Sequence, residues 1–135
     1  QLSGRMAVNI SLWFVFILLA NVYVLHAKRE DVQIKQKSIH PSYFENLPTS
    51  NVQGAVVLKS NLPLLAQTQL AATLTQIYQT TTDPMQRIQA FQTATTKMYS
   101  MYWNVVLNFE GITFFYKYYI YLQIFSDHLI AFGLD

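Results

Sequence analysis

A chain of 135 residues with a formal net charge of +2 and only 12% charged residues has the length of one small domain and lacks the basic stripe that binds nucleic acid. It contains no cysteine, which excludes disulfides, thiolate catalysis, Cys-ligated zinc and iron–sulfur chemistry. Such a chain must hold by packing, by association or inside a membrane.

Gln1-Leu2-Ser3-Gly4-Arg5 precedes the first methionine, Met6. Residues 1–5 read either as a leader upstream of the true start or as part of a longer chain. Ala7 to Ala27 is a continuous apolar run with its core from Val8 to Leu25, closed by the small residue Ala27 and the charged Lys28-Arg29-Glu30-Asp31. That order predicts a secretory signal peptide over 6–27, cleaved after Ala27. The alternative is an uncleaved signal anchor, since about 20 apolar residues suffice to cross a bilayer. Lys28, Arg29, Lys35 and Lys37 then hold the downstream chain in the cytoplasm.

Residues 28–61 read as an irregular arm, punctuated by Pro41, Pro48, Asn51 and Gly54, with a short extended piece at Ala55–Leu58. Tyr43, Phe44 and Leu47 are its anchors. The arm carries no Asn-x-Ser/Thr triplet, and neither does the rest of the chain beyond Asn9-Ile10-Ser11.

From Leu62 the pattern becomes helical. Pro63 suits a first helical position with Asn61 as cap, and Ala66, Leu70, Leu74 and Ile77 recur on one face. Thr80-Thr81-Thr82 ends this helix, expected over 62–80. Asp83-Pro84-Met85-Gln86 is a helix start, with Asp83 accepting from the free N–H groups of the next turn and Pro84 at the first position. Ile88, Phe91, Thr95, Met98, Tyr102, Val105 and Phe109 continue one apolar face, predicting a second helix over 84–109 stopped by Gly111. The short loop between them makes 62–110 an antiparallel αα-hairpin.

The tail 111–135 is dense in Phe, Tyr and Ile, with Lys117, Asp127 and His128 interrupting it. It reads as a hydrophobic third helix from about Phe114 to Leu129. A membrane span over 112–132, a strand pair, or a product of a retained intron or frameshift near Glu110-Gly111 are its alternatives. The fold class expected is all-α: a small hairpin with a hydrophobic third helix, preceded by a signal peptide and an arm.

No chemistry-bearing constellation emerges. His40 and His128 have no partners placed by spacing, H-E-x-x-H is absent, and four scattered glycines build no phosphate loop. Glu45, Asp83 and Glu110 stand alone, so no carboxylate pair forms. No catalytic residue, metal or cofactor is expected. The candidate apolar-ligand or interaction face is Met98, Tyr99, Met101, Tyr102 and Trp103, adaptable and aromatic along the second helix. The expected function is a secreted, non-enzymatic interaction module or apolar-ligand carrier, with a protein or an apolar molecule as partner and no nucleic acid. The alternative is a membrane-anchored accessory subunit with spans at 7–27 and 112–132.

Overall fold

A computed structural model describes residues 14–18, 35–45 and 53–135, in two units, Gln1–Gln33 and Ile34–Asp135. In the first unit residues 14–18 form a helical turn whose side chains are exposed. The remainder of the expected signal peptide over 6–27 lies outside the described residues, as do 28–34 and 46–52 of the arm, Leu47 among them.

The second unit mixes helices and strands. In chain order it holds β1 (Lys35–Ile39), a 3-10 turn (Pro41–Phe44), β2 (Val56–Ser60), α1 (Leu64–Thr80), α2 (Pro84–Met98), β3 (Tyr102–Leu107), β4 (Ile112–Tyr116), β5 (Tyr118–Ile124) and β6 (Asp127–Leu134). Strands β2-β5-β6-β3 form a four-stranded antiparallel sheet, and β1 and β4 form a separate antiparallel ribbon. The expected all-α fold is therefore corrected. The two helices exist, but as a layer on a sheet rather than as a self-sufficient helical hairpin, and the third helix is replaced by β4, β5 and β6. Among the described residues no helix is long and apolar enough to cross a membrane, and 112–132 folds as strands, so the alternative of a transmembrane helix there is overturned as well.

Helix α1 buries Ala66, Leu70 and Leu74, spaced by four, against the sheet. Its N-cap is Pro63, with no side-chain acceptor. Asn61, expected as the cap, instead clasps β5: its Nδ2 donates to the Lys117 carbonyl at 2.9 Å and its Oδ1 accepts from the Tyr119 N–H at 2.8 Å. Helix α2 opens as the sequence suggests, with Asp83 Oδ1 accepting from the Gln86 N–H at 2.8 Å and Pro84 in the first turn. It stops at Met98, where Tyr99 turns extended, and not at Phe109. Beyond that point Tyr102 to Leu107 is aromatic and β-branched, fits a pleated surface better than a helix, and pairs residue for residue with β6.

The sheet is covered on both faces. Ile120, Leu122 and Ile124 of β5, with Leu129 and Ala131 of β6, meet Leu70, Leu74 and Phe91 of the helices. The alternate residues Tyr119, Tyr121 and Ile130 point the other way, where Ile39 and Phe114 of the ribbon close over them. Two buried faces explain why β5 and β6 carry no hydrophobic–polar alternation. The arm is likewise not irregular throughout: β1, the 3-10 turn and β2 all lie within it.

Candidate interaction site

The β1–β4 ribbon is built from segments some 75 residues apart in sequence. Lys35 faces Tyr116, Lys37 faces Phe114 and Ile39 faces Ile112 in continuous antiparallel register. Because strand side chains alternate, β1 divides cleanly. Ile39 points inward and is only 4% exposed, packed in the cluster of Phe114, Tyr119, Tyr121 and Ile130. Lys37 lies on the same side, its Nζ 4.9 Å above the Tyr119 ring, a cation–π contact at a half-buried place. A hydrogen bond to Tyr119 is the main cause holding the Lys37 pKa above the ordinary lysine value. On the outer side Gln36 Nε2 and Ser38 Oγ both donate to Thr113 Oγ1, each at 3.1 Å.

Strand β4 contributes an aromatic platform. Phe114 lies 4.8 Å from Phe132 and 5.7 Å from Tyr119 between ring centroids, and Tyr116 lies 4.9 Å from Tyr119. Phe115, facing outward, is half exposed. After β1 the chain turns at His40, whose Nδ1 accepts from the Ser42 N–H at 3.3 Å, and Phe44 sets its edge on Tyr121 at 5.1 Å. Of the expected anchors, Phe44 packs, whereas Tyr43 is 79% exposed.

The face expected at Met98, Tyr99, Met101, Tyr102 and Trp103 is split by the end of α2. Met98, Tyr99 and Met101 are partly buried against the helix-side core, and Trp103 is buried with its Nε1 donating to the Tyr99 carbonyl at 2.9 Å. Tyr102 stands exposed. Met101, Tyr102 and Trp103 do line a groove of about 720 Å³, and Gln92, Thr96, Ser100, Asn104 and Asp135 complete it. The groove runs along the outer edge of β3, where the Trp103 carbonyl accepts from Gln92 Nε2 at 2.6 Å. By antiparallel alternation Val105 and Leu107 present their main-chain groups to that same edge, and no described strand pairs with it.

His128 and Asp127, adjacent in sequence, serve different neighbours. Asp127 accepts from the Tyr78 hydroxyl at 2.7 Å and from Asn108 Nδ2 at 2.8 Å. His128 Nδ1 lies 2.6 Å from the Tyr121 hydroxyl. Burial lowers the His128 pKa and lifts Tyr121 to about 12; burial, followed by the hydrogen bond to Asp127, raises Tyr78. The result is a cross-brace between α1, the end of β3 and the β5–β6 hairpin. Among the described residues no group of three or more His, Asp or Glu could hold a metal.

Sequence reasoning missed the ribbon. Lys35–Ile39 is too short and too polar to register as a strand, and the only local hint is the branched Ile39 just before His40-Pro41. No family model matches the chain, and no curated protein matches it.

Proposed function

We propose that the protein is a non-enzymatic interaction module whose strand β4 takes up an extended segment of a protein partner as an added antiparallel strand. The observation that carries this reading is the pairing of Lys35–Ile39, a segment remote in sequence, along the whole of β4 and with no other described strand. In strand addition the main-chain bonds give affinity, and alternate side chains entering pockets give specificity. Ile39 and Lys37 illustrate both kinds of side-chain contact, the first buried among aromatics and the second over Tyr119.

Selection of random linear peptides on the immobilised full chain tests the reading. Enriched peptides should alternate apolar and polar residues, slow hydrogen exchange at 112–116, and lose binding when a proline is placed centrally. Enriched peptides that leave exchange at 112–116 unchanged, or a failure to enrich any, would overturn it.

A further inference from the structure

Strand β1 occupies one edge of β4, the edge at which an incoming segment would meet the Phe114–Tyr119 surface and Thr113 as Lys35–Ile39 does. We propose that Lys35–Ile39 is a built-in competitor for β4, which the partner's segment must displace, and that this segment carries the β1 pattern: a branched apolar residue, a cation two positions before it, and short polar residues between. The inference rests on the strand-addition reading above.

Three observations support it. First, β1 is lightly anchored: of its five residues only Ile39 is buried, while Lys35, Gln36 and Ser38 are exposed. Second, its pairing is confined to β4, so its departure leaves the bonds of the four-stranded sheet intact. Third, the ribbon side defines the chemistry of any replacement. The Phe114–Tyr119–Tyr121 surface accepts one aliphatic side chain, the Tyr119 face accepts a cation, and Thr113 Oγ1 accepts hydrogen bonds from the outer side. A segment tethered within the same chain has an effective concentration on the order of millimolar. An external segment therefore binds with an affinity reduced by the fraction of chains in which β4 is free.

The test compares the full chain with two full-length variants, Ser38→Pro and Ile39→Asp, each titrated with a fluorescein-labelled synthetic peptide of residues 34–41. Ser38→Pro breaks the strand at an exposed position, and Ile39→Asp removes its one buried anchor. With Trp13→Phe introduced into the parent and both variants, emission comes from the buried Trp103 alone and reports whether the core persists. The expected result is at least about tenfold tighter peptide binding by both variants than by the parent chain, with Trp103 emission unchanged. Equal affinity for all three overturns the competitor role while leaving strand addition standing. An absence of binding to any of the three, with Trp103 still buried, overturns both. Loss of buried Trp103 emission in both variants makes β1 an inseparable part of the core and likewise overturns the proposal.

Discussion

The two faces of the central sheet are covered by unlike means. On one, α1 and α2 lay long apolar stripes that bury Leu70, Leu74 and Phe91 to 1% exposure or less. On the other, an aromatic surface of Tyr119, Tyr121 and Phe132 is closed by a ribbon whose outer strand contributes a single buried side chain, Ile39. Burial supplies stability roughly in proportion to apolar area removed from water. The helix face thus carries the larger buried aliphatic stripe, and the ribbon face is the one that the competitor proposal requires to open.

Substitutions sharpen that contrast when ranked by expected cost. Phe91→Ala should cost about 3–5 kcal/mol, because Phe91 is fully buried among side chains of both helices and the sheet. Denaturant unfolding should show the whole midpoint shift. Gly133→Ala should cost about 1–3 kcal/mol through overpacking. An added Cβ there would sit 2.7 Å from Met101 Sδ and 2.9 Å from the Trp103 ring; the thioether can move, whereas the buried indole cannot readily do so. A loss below about 0.5 kcal/mol would mean that the β3–β6 contact is looser than described.

Ile39→Ala should cost less than its burial suggests, about 1–2 kcal/mol, because opening of the ribbon caps the penalty. Its signature is faster hydrogen exchange at 35–39 and 112–116 with little change elsewhere. A global loss as large as that of Phe91→Ala would erase the distinction between the faces. Asp83→Ala should cost about 1 kcal/mol by removing the bond to the Gln86 N–H, read as a parallel shift in thermal unfolding.

The smallest effect is that of pH. His128 is held below its ordinary pKa by burial, so the folded state binds its proton less readily than the unfolded state does. Asp127, Asn108, Tyr121 and, through space, Glu45 surround it. Its contribution is complete above about pH 6.5 and declines as pH falls from there through the folded-state value. His128→Gln should flatten that part of the stability–pH curve; an unchanged slope would assign the pH dependence to another group.

Legibility in the sequence followed the same division. The spacing of Ala66, Leu70 and Leu74 and the Asp83-Pro84 cap mark the helices because one face of each is buried and the other wet. From Tyr102 onward the apolar residues are so dense that a helical stripe can be drawn through a strand, with no Gly or Pro before Gly111 to forbid it. In β5 and β6 burial on both faces removes the alternation that identifies a strand. Pairing across the sheet, which no local window contains, decides these segments. The ribbon was less legible still, since five mostly polar residues become a strand only in the presence of Thr113 and Phe114. The Met98–Trp103 face was read from residue type alone, and the extended backbone at Tyr99 divides it between core and groove.

Strands β5 and β6, at the centre of the sheet, are synthesised after both strands they join. Val56–Ser60 and Tyr102–Leu107 are therefore made before their neighbours, and at ordinary translation speeds Leu107 precedes Leu134 by roughly one to five seconds. Until β5 and β6 are made, α1 and α2 have only each other to pack against, and Val105, Val106 and Leu107 lack the strand they pair with. Making the central strands after the strands they join delays closure of the sheet until β5 and β6 are both present. Slowing elongation between Leu107 and Tyr118 should lower the yield of native protein.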